Sequence, residues 1–91
     1  MSDRIHALTL DAFVALAGDL AGHPVDPDQM LLLQGIDSLA ILDFLGAVEQ
    51  ASGPFRWPDD IVDVIDLSTT PRQLHNLYSE AVARAAAHLP E

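Results

Sequence analysis

Apolar residues recur at spacings of three and four along much of the chain, as expected for amphipathic helices that bury one face. The first such segment predicts a helix over about residues 3–21. Its buried face would be formed by Ile5, Leu8, Ala12, Leu16 and Leu20. Gly22, Pro24 and Pro27 then interrupt the pattern and predict a long loop, because proline cannot continue a helix. Three leucines are available to anchor this loop to the core: Leu31, Leu32 and Leu33.

A second helix is predicted over residues 38–51. Asp37 or Ser38 would cap its start, and Gly53 would end it. This helix carries two apolar stripes. The first consists of Ile41, Phe44, Leu45 and Val48, and the second consists of Leu39, Leu42 and Gly46. One stripe would face the core, and the other requires a different explanation.

Two further helices follow. Pro58 would be the first residue of a short third helix over residues 58–66, with acidic residues in its first turn. Thr70 and Gln73 form a capping box that would start a fourth helix over about residues 71–87. The buried face of that helix would contain Leu74, Leu77, Tyr78, Ala81 and Val82. No segment shows the strict alternation of a strand, so the predicted fold is all-α. We expect one domain over residues 1–91, a four-helix bundle with a long first loop.

The charge balance limits the classes of partner. Fourteen acidic residues oppose four arginines, giving a net charge of −10. A surface this acidic would repel nucleic acid and anionic membranes and would attract basic proteins. The chain has no cysteine, which excludes disulfides and thiolate metal sites. The N-terminus does not resemble a secretion signal and no apolar run is long enough for a membrane span, so we expect a cytoplasmic protein. We also expect a monomer.

Catalysis by this chain is not predicted. Ser38 is followed by Leu39 and Ala40, whereas a nucleophile elbow needs glycines on both sides of its serine. The four histidines are scattered over two predicted helices and a loop: His6, His23, His75 and His88. We therefore expect no catalytic residue and no resident metal. On these grounds Asp37 and Ser38 would be simple helix caps.

The stretch "GIDSL", residues 35–39, changes this interpretation. It lies between a long loop and an apolar helix in an acidic four-helix chain, and it resembles the phosphopantetheine attachment motif of acyl carrier proteins. The resemblance extends from the first helix to about Tyr78. It covers the order and lengths of the helices, the proline-containing loop and the acidic third helix. The fold that it implies is the acyl-carrier-protein-like bundle.

The resemblance implies a role for each motif residue. A phosphopantetheinyl transferase would move phosphopantetheine from coenzyme A to the hydroxyl of Ser38, and would itself supply the base and magnesium. The thiol of the arm would carry acyl groups as thioesters. Asp37 would cap the helix and lie beside the magnesium during modification. A helix N-terminus would also stabilise the phosphodiester.

The second apolar stripe also gains a role from the resemblance. Leu39, Leu42 and Gly46 would form a docking surface with an acidic rim of Asp37, Asp43 and Glu49. Seven acids but only one arginine, Arg56, lie between residues 37 and 66. The expected partners are the transferase and acyl-loading, condensing or tailoring enzymes with basic docking patches.

Some residues depart from the family pattern. Ala40 stands where many fatty-acid carriers have an acidic residue, and Gln34 stands where an apolar residue is common. Residues 52–70 form a segment that is longer than the matching segment of fatty-acid carriers. In it, Phe55 and Trp57 would plug the end of the bundle or take part in docking. These differences favour a polyketide, nonribosomal peptide or related specialised pathway. The alternatives are a housekeeping fatty-acid carrier and an unmodified acidic helical adaptor protein.

Overall fold

The computed structural model describes residues 4–88 and is all-helical over that range, as predicted. The four helices are α1 (Leu10–Ala21), α2 (Ser38–Ser52), α3 (Asp59–Val62) and α4 (Pro71–His88). A short 3₁₀ helix, Leu32–Gln34, interrupts the long loop between α1 and α2. The prediction of a small all-α bundle is therefore confirmed. The core lies where α1 packs against the inward face of α2 and against α4.

The predicted start of α1 is wrong. The helix begins at Leu10, because the Thr9 hydroxyl caps it by accepting a hydrogen bond from the amide of Ala12 at 3.1 Å. Residues 4–9 are not helical, and their backbone groups bond to distant parts of the chain instead. The amide of Leu8, for example, donates to the Tyr78 hydroxyl at 2.8 Å. Residue 3, where the helix was predicted to begin, lies outside the described residues.

The predicted buried face of α1 is correct only in part. Ala12 is exposed and Leu20 is 49% exposed, whereas Phe13 and Ala17 face the core. The helical spacing was counted from Ile5, which lies in the non-helical segment, so its phase does not continue into α1. Ile5, Leu8 and Leu16 pack against the edge of the core and are half-buried.

The long loop is attached to the core by fewer leucines than predicted. Leu31 is buried, but Leu32 is 57% and Leu33 66% exposed. The loop is closed by the side chain of Gln34, which accepts from the amide of Asp26 at 2.6 Å and donates to the Asp26 carbonyl at 2.8 Å. A second bond from Gln34 to the carbonyl of Gln29, at 3.0 Å, completes the turn. The polar residue before the motif glycine therefore shapes the loop.

The third helix is shorter than predicted. Pro58 is its N-cap, with an extended ψ of 141°, and the helix ends at Val62 instead of residue 66. The amides of Val64 and Ile65 then bond carbonyls three residues back, as in a tightening turn. Asp66 then accepts from the amide of Ser68 at 2.8 Å, which stabilises a turn at the expense of the helix.

The fourth helix agrees closely with its prediction. Its start is closed by the reciprocal bonds of a capping box, from the Gln73 amide to the Thr70 hydroxyl at 3.1 Å and from the Thr70 amide to the Gln73 side chain at 2.9 Å. Leu74, Tyr78 and Ala81 are buried, while Leu77 and Val82 are half-buried. The capping residues and the apolar spacing together were sufficient to place this helix.

Aromatic residues close the end of the bundle at the C-terminus of α2. Phe55 and Trp57 are buried with their ring centroids 5.5 Å apart, and both contact Tyr78. The Trp57 indole donates to the Leu45 carbonyl at 3.0 Å. The Tyr78 hydroxyl also bonds the buried hydroxyl of Ser52 at 2.7 Å. The interpretation of Phe55 and Trp57 as a plug is therefore confirmed.

Candidate functional site

Ser38 is exposed at the first residue of α2. The chain reaches it through Gly35, whose φ of 77° is a left-handed conformation that favours glycine. Ile36 follows and is only 7% exposed, so it anchors the chain immediately before the serine. The motif therefore presents Ser38 on a fixed backbone, between a buried isoleucine and a helix.

The N-cap of α2 is Asp37. Its side chain accepts a hydrogen bond from the amide of Ala40 at 2.8 Å, and its carbonyl accepts the first helical bond, from Ile41, at 3.0 Å. Of the two predicted caps, the structure selects the aspartate. The Ser38 hydroxyl makes no hydrogen bond within residues 4–88 and is accessible for modification.

The amides at the start of α2 favour an anion next to Ser38. The amides of Ser38 and Leu39 precede the first bond of the helix, so they have no partner within it. The helix dipole adds partial positive charge at the same end. A phosphate group on Ser38 would lie where these two effects stabilise negative charge.

An open groove runs along α2 from Ser38. Most of its lining is apolar and comes from α2 and from residues 62–68, with Ser38, Asp66 and Ser68 as the polar residues. The Ser68 hydroxyl donates to the Asp66 carboxylate at 2.5 Å, and this bond is the main reason that the pKa of Asp66 is lowered. The groove has space for an extended group attached to Ser38.

The interior beneath the motif is nearly filled. The cavity there is lined only by apolar residues, including Ala40, Leu31 and Leu74, and has a volume of about 30 Å³. A cavity needs about 10–15 Å³ to hold one water molecule, so this space is small. In this structure the cavity does not enclose a long acyl chain, whereas the groove beside Ser38 is open.

The second apolar stripe of α2 is exposed, as predicted. Leu39 is 70% and Leu42 60% exposed, and Gly46 and Asp43 are exposed beside them. The four residues are related by helical spacings of three and four, so they share one face of α2. Asp37 is exposed at the start of the same helix.

Glu49 differs from the other residues of the predicted docking surface. It is half-buried, and its carboxylate accepts a hydrogen bond from the backbone amide of Trp57 at 3.0 Å. That bond holds the aromatic plug against α2. The sequence placed Glu49 in the acidic rim with Asp43, but its carboxylate has a structural partner and that of Asp43 has none within residues 4–88.

Two arginines neutralise acids away from α2. Arg84 bonds Asp60 at 2.8 Å and ties α4 to α3. Arg72 bonds Asp28 at 2.7 Å and ties α4 to the long loop. These hydrogen bonds lower the pKa of Asp28 and of Asp60. The two pairs involve neither Asp37 nor Asp43, and the exposed side of α2 therefore remains acidic.

The histidine side chains that the structure describes are not grouped as metal ligands. His75 contacts the Leu8 carbonyl at 2.9 Å, and His23 contacts the carbonyl of Pro24. The side chain of His88 lies outside the described part of the chain. Within that part, no three histidine or acidic side chains are grouped as metal ligands.

The polar end of the groove was not expected from the sequence. Asp66 and Ser68 were assigned to the end of the third helix and to the loop after it, with no role beside Ser38. The local signal was present, because an aspartate two residues before a serine is typical of a side-chain-stabilised turn. Its position beside Ser38 depends on the tertiary structure.

Comparisons of the chain with protein-family models, with curated proteins and with solved structures find no match. None of the helices in residues 4–88 has the length and apolar content to cross a membrane.

Proposed function

We propose that this protein is an acyl carrier protein in which Ser38 bears a phosphopantetheine arm. The observation that carries the proposal is the placement of the "GIDSL" serine, exposed at the start of α2 with its hydroxyl unbonded and Asp37 acting as the cap. A simple helix cap would use the serine hydroxyl to bond the helix. Here Asp37 is the cap, and the exposed hydroxyl of Ser38 is accessible to a modifying enzyme.

The surroundings of Ser38 fit the arm. The unbonded amides of α2 would stabilise the phosphodiester, and the groove would accommodate the arm beyond it. When bound, the arm supplies a thiol that holds acyl groups as thioesters. The chain itself would present the serine and orient the arm, while the transferase supplies the base that removes the Ser38 proton.

The exposed face of α2 would receive the partner enzymes. Leu39 and Leu42 provide apolar contact, and Asp37 and Asp43 provide an acidic rim. Partners of this surface would have basic patches, as in the transferase and the acyl-loading, condensing or tailoring enzymes.

A specialised biosynthetic pathway fits this carrier better than fatty-acid synthesis. The apolar cavity of about 30 Å³ does not enclose a long acyl chain in this structure, and Ala40 places no acidic residue two positions after Ser38. A reconstituted fatty-acid synthase tests this choice. We expect that the modified protein does not replace its carrier, and efficient chain elongation would favour the housekeeping role.

Intact mass after incubation with coenzyme A and a phosphopantetheinyl transferase of broad specificity tests the proposal. The wild-type chain should gain the mass of one phosphopantetheinyl group, and peptide mapping should place it on Ser38. The Ser38→Ala variant should gain nothing, while Ser68→Ala is the matched control because Ser68 lines the same groove. If several transferases leave the wild-type mass unchanged, the unmodified adaptor is the better explanation.

A further inference from the structure

Gly46 is an exposed glycine in the interior of α2. Glycine is the least favourable residue in a helix apart from proline, because it loses the most backbone entropy on folding. A Cβ added to Gly46 would meet no atom within 4 Å, and its φ is not positive. The fold of the chain therefore does not require a glycine at this position.

The other four glycines each have an internal reason. Gly22, Gly35 and Gly53 have φ values of 80°, 77° and 85°, which other residues rarely adopt. A Cβ on Gly18 would lie 3.2 Å from the His23 carbonyl oxygen. Gly46 differs from all of them, and a requirement outside the molecule would account for it.

The neighbours of Gly46 form the sides of a notch. Leu42 lies four residues before it and Asp43 three residues before it, so both project from the turn beside the missing side chain. Leu42 is 60% exposed, and Leu39, one further turn along, is 70% exposed. The helix backbone at Gly46 is therefore accessible between apolar side chains.

We propose that this notch, formed by Leu39, Leu42, Asp43 and Gly46, receives a bulky apolar side chain of the enzyme that modifies Ser38. The glycine allows that side chain to approach the backbone of α2. The inference rests on the proposed carrier function and extends it to the shape of the partner. The complementary surface on the enzyme has an apolar projection with basic residues around it.

Charge and distance support this occupant. Asp37 and Asp43 are exposed, and neither is paired with an arginine in residues 4–88. The chain also has a net charge of −10. The enzyme residues around the apolar projection would therefore be basic. Gly46 follows Ser38 by eight residues, or about 12 Å along a helix at 1.5 Å per residue. An enzyme acting on Ser38 spans that distance, because a standard interface covers about 800 Å² of each partner.

The test uses Gly46→Ala and Gly46→Leu, with Ala51→Leu as the control. Ala51 is also exposed on α2 but does not share the face of Gly46. Two quantities are measured for each variant. The first is the thermal unfolding temperature of the unmodified domain, and the second is kcat/KM for transfer of phosphopantetheine from coenzyme A by a purified transferase. Gly46→Ala should raise the unfolding temperature, because alanine favours the helix. It should nevertheless lower kcat/KM, and Gly46→Leu should lower it by about tenfold or more, a hot-spot effect.

The outcomes separate the inference from the carrier function. Neutral surface changes scatter by about twofold. If kcat/KM for transfer to Gly46→Leu stays within that range of the wild-type value, the proposed notch is wrong, but the carrier function is unaffected. An equal loss of kcat/KM in Ala51→Leu would also contradict the proposed notch, because added bulk anywhere on α2 would then be enough to slow transfer. Absence of transfer to the wild-type chain would overturn both. If Gly46→Leu is unstable, the opposite changes expected for Gly46→Ala still decide the question.

Discussion

The two faces of α2 are built from similar residues and have opposite environments. Leu45 is 6% exposed and packs in the core, whereas Leu42, one turn away, is 60% exposed. Phe44 is 6% exposed, and Leu39 is 70% exposed. Hydrophobicity by itself therefore does not determine which face enters the core. Exposed large apolar residues on one face are instead typical of a surface that another molecule covers.

The acids of this region show the same contrast. Asp60 bonds Arg84 at 2.8 Å, and Glu49 bonds the amide of Trp57 at 3.0 Å. Both carboxylates hold parts of the domain together. Asp43 has no such partner within residues 4–88 and remains available to a basic surface. The acidic segment thus contains structural acids as well as acids suited to docking.

The largest expected effect is on the inward face. Phe44→Ala should destabilise the domain by about 3–5 kcal/mol, because it removes a buried ring and leaves a cavity. The lost contacts include the edge-to-face packing on Phe13, with centroids 4.9 Å apart. Urea unfolding followed by circular dichroism measures the change. A loss below about 1 kcal/mol, the size of an ordinary single change, would mean that Phe44 is not central to the core.

A matched pair of leucines isolates burial from chemistry. Leu45→Ala should cost about 2–5 kcal/mol, because the side chain is buried. Leu42→Ala deletes the same atoms from the exposed face and should cost about 0.5 kcal/mol or less. The same unfolding experiment ranks the two variants. If Leu42→Ala were the more damaging, the two faces would be assigned the wrong way round.

Charge reversal tests the exposed face through its partner. Asp43→Arg should slow phosphopantetheine transfer several-fold at low salt while changing stability by about 0.5 kcal/mol or less. The difference should shrink as salt screens the attraction over about 8–10 Å. Asp19→Arg is the control, since Asp19 is exposed on α1 and gives the same change in net charge. Equal slowing by both variants would indicate a general charge effect and no specific docking by Asp43.

The smallest effect should come from the exposed pair of Asp60 and Arg84. The guanidinium lowers the pKa of Asp60 below its ordinary value of 3.8, so any stability from the pair is fully present above that pH. It is lost as the pH falls through the lower pKa of the folded state. Asp60→Asn should therefore lower the urea midpoint slightly at pH 7, and this difference should disappear in strong acid. A difference that persists there would have a cause other than ionisation.

Much of the fold and part of the candidate site were predictable from the sequence, because their determinants are local. The capping box of Thr70 and Gln73 and the cap at Asp37 act within one turn, so they mark the starts of α4 and α2 in any context. The role of the motif serine and the outward direction of the stripe with Leu42 were expected only from the resemblance of residues 35–39 to a family motif. Helical spacing within α2 was sufficient to separate its two faces.

Tertiary structure decided what depends on partners distant in the chain. Thr9 caps the start of α1, and in the segment before it the Leu8 amide bonds the Tyr78 hydroxyl, seventy residues away. Glu49 becomes structural only because the Trp57 amide is folded against it. A spacing of three or four residues indicates which residues share a helical face. Hydrogen bonds between residues distant in the chain determine where a helix stops and which carboxylates remain available to another protein.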